Sequence, residues 1–363
     1  MKRDSGAQLR VGVLGAGAIG CFVGGRLAAD GADVILVGRP ALADEICTHG
    51  LALTDLHGPD TRLPSSAVQV ATDVSALTDR DVVLVAVKSP DTAAAGGSLA
   101  PHVRARDTLV VSLQNGVRNA DLLREALPGA TVLAAMVTFN VTRPAPGTFR
   151  RATSGPIALE RHARAGALVA ALEHAGIPTL ARRDIRAVLW SKLLFNLNNA
   201  INALAGVPLR DELADRRYRR IFAACMREGI ATTRAARIRL ARIGRLVPAL
   251  ASRLLPWPDA IVLRLASSML EVDPQARSSM WDDLERRRAT EIDWLNGEVV
   301  RLGREHGVRT PVNERIIALV REAERNASGS PRLDAAALTA RIYGAKNVSD
   351  VPSGSGSGAA DES

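Results

Sequence analysis

Lys192, Asn196 and Asn199 stand at i, i+4 and i+7 in the stretch 187–209, AVLWSKLLFNLNNAINALAGVPL. That spacing puts all three on one face of a helix. Leu189, Leu193, Leu197 and Leu204 recur at helical spacing, and Lys192 is the only charged residue of the stretch. A single, mostly buried helix is expected there. Burying a lone ammonium is costly. A lysine so placed, bordered by amides, is either half of a structural ion pair or a proton donor tuned by its surroundings.

A second chemistry-bearing cluster lies near the start. Residues 9–15, LRVGVLG, form an apolar run of strand length, followed by Gly15-Ala16-Gly17-Ala18-Ile19-Gly20 and a helical stretch to Asp30. GxGxxG between a strand and a helix is a dinucleotide-binding fingerprint. Gly15 permits the tight turn. Gly17 lets backbone approach a pyrophosphate at the helix N-terminus, and Gly20 lets helix and strand pack closely. The second strand, Asp33–Val37, ends at Gly38-Arg39-Pro40. NAD-binding units usually place Asp or Glu there for the ribose hydroxyls, whereas a guanidinium suits a 2′-phosphate. Arg39 therefore favours NADP; an ordinary surface arginine after a strand is the alternative. Lys88 and Asn115 follow two more buried runs, Asp81–Val87 and Thr108–Leu113. Both fall at the carboxyl ends of strands, where open parallel sheets take ligands. Each could equally be a turn residue, Asn115-Gly116 above all.

The elements that must position these residues divide the chain. Val132–Val137, Thr148–Ala152 and Pro156–Leu159 read as further strands, then a helix over Ala165–Ala175 and a strand near Pro178–Ala181. From Asp184 onward nearly every segment has helical period. The fold class expected is α/β: an N-terminal Rossmann-type dinucleotide-binding domain over residues 1–183, followed by an all-α domain over 184–345. Residues 346–363, rich in Ser and Gly, have nothing to bury and are expected to be a disordered tail.

Composition narrows the function classes. The net charge of +9 invites a nucleic-acid reading, but aromatics are only 3%, so stacking platforms are scarce. Residues 231–270 alone hold seven Arg and one Asp, so much of the excess is local. The surrounding piece, 238–275, is Leu- and Arg-rich and broken by Pro248, Pro256, Pro258 and Pro274. Prolines interrupt any long amphipathic helix, which favours a packed helical hairpin or a dimer contact over a membrane surface. Cys21, Cys47 and Cys225 are widely spaced, and the six His form no HxxxH pair, so no metal is expected. The opening MKRDSGAQLR has no apolar run of signal-peptide length. A cytoplasmic protein is expected, without nucleic-acid or membrane partners, and a homodimer is left open.

Taken together the motifs resemble the ketopantoate reductase (2-dehydropantoate 2-reductase) family. The resemblance rests on GAGAIG at 15–20, VKSPDT at 87–92, LQNGV at 113–117, LWSKLLFNLNNAINAL at 189–204 and SSMWDDLERRRATEIDWLNGEVV at 278–300. It implies an active site between a Rossmann domain and a helical domain, and NADPH-dependent reduction of a 2-oxo acid to a 2-hydroxy acid. By this resemblance Lys192 is the catalytic lysine and Glu291 the glutamate near the substrate hydroxyl. Ser279 and Asn196 match substrate-binding residues, Asn115 lies between cofactor and substrate, and Lys88 and Arg39 are basic residues on the cofactor side. The family often carries another Asn where this chain has Ala200, beside Asn199, and one where it has Ala276. Read without the family, Glu291 would be a helix-surface carboxylate paired with Arg287 or Arg288, and Ser279 a helix N-cap. The expected function is reduction of 2-dehydropantoate to pantoate, a step of pantothenate and coenzyme A biosynthesis. The alternatives are a related 2-oxo or hydroxy acid dehydrogenase and a non-catalytic NADPH-binding regulator.

Overall fold

The computed structural model describes residues 8–55, 58–104, 107–244, 246–265 and 276–344. The expected tail, residue 245 and residues 266–275 of the basic segment lie outside them.

Among the described residues twelve strands form two sheets: β1 (Arg10–Leu14), β2 (Asp33–Val37), β3 (Leu51–Asp55), β4 (Thr61–Leu63), β5 (Gln69–Ala71), β6 (Val82–Val85), β7 (Leu109–Ser112), β8 (Thr131–Val137), β9 (Val141–Ala145), β10 (Thr148–Arg151), β11 (Ile157–Glu160) and β12 (Thr179–Arg182). The larger sheet runs β12-β11-β8-β7-β6-β1-β2-β5. All its neighbours are parallel except β8 and β11. From β5 to β8 this is the doubly wound dinucleotide order, with the strand sequence reversing between β1 and β6. A small second sheet, β4-β3-β10-β9, stands apart from it.

The helices are α1 (Ala18–Ala29), α2 (Pro40–His49), α3 (Thr92–Leu99), α4 (Asn119–Ala126), α5 (Gly166–His174), α6 (Ile185–Asn196), α7 (Asn198–Ala205), α8 (Leu209–Ala214), α9 (Arg216–Ala235), α10 (Pro248–Leu254), α11 (Asp259–Leu265), α12 (Ser279–Glu285), α13 (Asn296–Glu305), α14 (Pro311–Asn326) and α15 (Ala335–Tyr343). Proline opens α2, α10 and α14, where its fixed φ suits the helix and no N–H is missed. Asp184 and Asp215 cap α6 and α9 with side-chain bonds to Ala187 N and Arg217 N, which satisfies donors a helix start leaves open.

Both faces of the large sheet are covered, so its strands alternate between two cores. Val82, Leu84, Leu109 and Val111 join one core with Phe22 and Leu27 of α1. Val83, Val85 and Val110 join the other with Leu99 of α3 and Leu123 of α4. A third core draws none of its buried residues from a strand. Helix α6 belongs to two of them: Ile185, Val188 and Leu189 pack under the sheet, while Trp190, Leu193 and Leu194 enter the helical core. It is therefore the beam on which the two halves meet.

The α/β class with a helical C-terminal region is as expected from the sequence. The single helix expected over 187–209 is not. The backbone tightens at Leu197 (ψ −24) between α6 and α7, and α7 stops at Gly206, whose φ is +60. A Cβ at Gly206 would lie 2.5 Å from Ser330 Oγ, so glycine's freedom ends the helix there. The described part of the basic segment forms α10 and α11, held against α9. Buried Arg219 of α9 donates to Leu255 O and Trp257 O at 2.8 and 2.9 Å and pairs with Asp259 at 2.6 Å.

Candidate active site

The glycine loop sits where β1 ends and α1 begins. Gly15 N and Ala16 N both donate to Val37 O at 3.0 Å, which ties the loop to the end of β2. Gly15 has φ +96, and a Cβ there would lie 2.5 Å from Val87 N; at Gly20 it would lie 2.4 Å from Gly15 O. Gly17 is different: it is exposed, and nothing lies within 4 Å of where its Cβ would be. The intrahelical ladder starts with Cys21 N donating to Gly17 O, and no side chain caps the helix. The N–H groups of Ala18, Ile19 and Gly20 are thus open at the positive end of α1, a natural anion site. The space beside Gly17 is a cradle that fits a pyrophosphate. Arg39, at the N-cap of α2, is exposed and has no side-chain partner among the described residues.

Beyond the ends of β6 and β7, the sheet meets the helical region through named contacts. Ser89 N and Ser89 Oγ both donate to Glu291 Oε1, at 2.9 and 2.7 Å. Lys88 pairs with Asp283 of α12. Burial pushes the Asp283 carboxyl above the usual carboxylate range, against the pull of the Lys88 ammonium. Arg118 pairs with buried Glu298 of α13 and stacks over Trp294, 5.0 Å from the ring centroid. Behind these lies a buried polar network. Ser112 Oγ donates to Gln114 Oε1 (3.0 Å), Gln114 Nε2 to Thr92 Oγ1 (2.6 Å), and Thr92 Oγ1 lies 2.9 Å from Asn119 Oδ1.

Asn196 Nδ2 donates to Asn115 Oδ1 at 3.4 Å, and Ser89 Oγ lies 2.9 Å from Asn115 O. A continuous series of polar contacts thus runs from Glu291 through Ser89 and Asn115 to Asn196. Lys192 is one turn before Asn196 on α6. It is half-buried, makes no ion pair or hydrogen bond among the described residues, and burial lowers its pKa from the ordinary lysine value. Among these residues the structural ion pair that the sequence left open has no partner. Asn199 is half-buried, and Ser279 is exposed at the first residue of α12.

Two sequence alternatives are corrected. The N-cap of α12 is Ser278, which accepts from Trp281 N at 3.1 Å, so Ser279 is free of that duty. Glu291 precedes a 3₁₀ turn (Ile292–Trp294) and faces Ser89, with no ion pair to Arg287 or Arg288 among the described residues. Lys88, expected on the cofactor side, is engaged by Asp283. Sequence alone does not single out Ser89, Thr92, Gln114 or Asn119, although VKSPDT and LQNGV contain the first three and Asn119 follows two residues after LQNGV.

The comparison with known proteins decides the family. The sequence profile of ketopantoate reductase PanE/ApbA matches residues 11–164, and that of its C-terminal region matches residues 184–324. The chain belongs to the ketopantoate reductase family. It is an oxidoreductase acting on CH–OH groups. A 2-dehydropantoate 2-reductase of Halobacterium salinarum is 30% identical over 325 residues, 88% of this chain and all of that protein. A ketopantoate reductase of the same family from Ralstonia eutropha superposes with a TM-score of 0.76 at 34% identity, covering 88% of this chain and 99% of that one. A D-mandelate dehydrogenase in ternary complex with NADH and anilino(oxo)acetate shares the fold, with a TM-score of 0.74 at 21% identity over 88% and 99% of the two chains. Among the described residues of this ketopantoate reductase family member, no helix is long and apolar enough to cross a membrane.

Proposed function

We propose that this chain reduces a 2-oxo acid to the 2-hydroxy acid with NADPH, and that its substrate is 2-dehydropantoate, in pantothenate biosynthesis. The observation that carries the reading is the polar series from Glu291 through Ser89 and Asn115 to Asn196, ending one helical turn from Lys192, which has no partner among the described residues. It lies beyond the carboxyl ends of β6 and β7, beside the glycine loop. A bound NADPH would supply the hydride. The open amides of α1 and the space at Gly17 suit its pyrophosphate, and Arg39 suits its 2′-phosphate. Hydride addition to a ketone leaves negative charge on the carbonyl oxygen. The Lys192 ammonium is the group to stabilise that charge and to pass it a proton. Glu291, with Oε1 held by Ser89, keeps Oε2 for a substrate hydroxyl. Asn115 and Asn196 orient the oxo acid, with Asn199 and Ser279 at its edge.

Ala200 and Ala276 favour a second reading, reduction of a different 2-oxo acid, because relatives often carry Asn at both positions. The test is NADPH oxidation scanned over 2-oxo acids, with 2-dehydropantoate and phenylglyoxylate included. The proposal expects 2-dehydropantoate to give the highest kcat/KM. A higher value for another oxo acid selects the second reading. NADPH binding without turnover of any of them would leave a non-catalytic binder.

A further inference from the structure

Helix α8 carries a fully buried carboxyl that no step above uses. Asn202 Nδ2 of α7 donates to Glu212 Oε2 at 2.8 Å and to Val207 O at 2.9 Å. With both amide hydrogens engaged, the Asn202 amide has one orientation, and its Oδ1 accepts from Ser278 N at 2.9 Å. Ser278 is tied a second time, its Oγ donating to Asn199 O at 3.0 Å. Leu209 N, at the start of α8, donates to Ala276 O at 2.9 Å. The start of α12 is therefore fastened to α7 and α8 by bonds that all converge on one buried cluster. The next residue after the tie is Ser279, and the carbonyl receiving it belongs to Asn199.

We propose that Glu212 is a positioning residue for the oxo-acid site: it fixes the Asn202 amide, which fixes the start of α12 and so the register of Ser279 against Asn199 and Asn196. The proposal rests on the reading of that site given above. The cluster's chemistry agrees with a carboxylic acid in this place. Glu212 Oε1 and Asn198 Oδ1 are both buried without a partner, and the Asn198 side chain faces the Glu212 carboxyl. Burial pushes the Glu212 carboxyl up to about 8, against the Asn202 and Asn198 bonds that pull it down. The neutral acid still accepts from Asn202 through Oε2.

The test compares Glu212→Gln with Glu212→Leu. Glutamine keeps the observed bond, with its amide oxygen toward Asn202 Nδ2, and keeps the length of the side chain. Leucine removes that acceptor and lets the Asn202 amide turn. In Glu212→Leu the KM for 2-dehydropantoate should rise about tenfold or more, with a smaller change in kcat and NADPH affinity within about twofold of wild type. Glu212→Gln should restore KM to within about twofold. A folded Glu212→Leu protein with wild-type KM, or a glutamine variant as impaired as leucine, overturns the proposal. If leucine prevents folding, Asn202→Ala takes its place: it removes the amide that links Glu212 to Ser278 N, and wild-type KM in it overturns the proposal equally. Lys192→Ala is assayed in parallel. Normal turnover there defeats the reading of the site and this proposal with it. Lost turnover there beside wild-type KM in the Glu212 variants defeats the positioning role alone.

Discussion

Ser89 holds Glu291 by one oxygen: its N–H and its hydroxyl both donate to Oε1, across 202 positions of sequence. Oε2 has no partner among the described residues. One edge of the carboxylate is thus fixed by Ser89, and the other is the edge proposed to meet the substrate hydroxyl. Ser89→Ala keeps the N–H bond and loses the hydroxyl. Its KM for the oxo acid should rise severalfold, about 1 kcal/mol for one hydrogen bond, with NADPH affinity unchanged. Steady-state kinetics beside a fluorescence titration of NADPH reads both, and an unchanged KM would remove Ser89 from the site.

The proton donor proposed at Lys192 acts in its protonated form, and burial lowers its pKa. Activity is present below that pKa and lost as pH rises through it. The alkaline limb of kcat/KM should therefore fall below the ordinary lysine value of about 10.4. In Lys192→Ala, kcat should drop on the order of 10²–10⁴, NADPH should still bind, and the limb should vanish. Near-normal turnover in the folded variant would refute the assignment.

Gly17→Ala isolates ligand approach from folding. Gly17 has φ −88 and ψ −160, open to any residue, and no protein atom near the new methyl. Its Tm should match wild type while the Kd for NADPH rises about tenfold, ~1.4 kcal/mol. A lowered Tm with unchanged Kd would mean that no cofactor backbone passes this glycine.

Arg39→Asp places an acid where a ribose diol would be read and removes the partner of a 2′-phosphate. NADPH affinity should fall and the preference over NADH should narrow. A wild-type protein that used both cofactors equally would contradict the reading of Arg39.

Glu212 links pH to stability. Its folded pKa, about 8, lies above the ordinary glutamate value, so the folded protein holds a proton that the unfolded chain has released. That contribution is complete below about pH 4.3 and is lost as pH rises through 8. Urea midpoints should decline over this window in wild type and decline less in Glu212→Gln. Parallel slopes would show that Glu212 is ionised in the folded state.

The parts of the fold legible in the sequence are those governed by local pattern. The glycine loop announces itself by strand, spacing and helix within twenty residues, and the buried strands β1, β6, β7 and β8 by unbroken apolar runs. The small sheet was not foreseen in full, because β3, β4 and β9 are short and partly exposed and carry no clear period. The split of α6 from α7 was hidden by leucines that keep helical spacing through Leu197. In the site, residue types were readable and partners were not. Nothing near Lys88 indicates Asp283, and nothing near Glu291 indicates Ser89. Ser278 and Ser279 are chemically identical in sequence, and only the bond from Trp281 N tells the cap from its exposed neighbour.

The clamp between the halves joins Lys88 to Asp283, Ser89 to Glu291 and Arg118 to Glu298, residues 180 to 202 positions apart. Such contacts repay their loop-closure entropy only after the intervening chain has become compact. The sheet and the helical core can each form from nearer neighbours first. These three contacts are therefore expected to form late in folding, and a chain can regain its helices and strands while the Ser89–Glu291 contact is still unassembled.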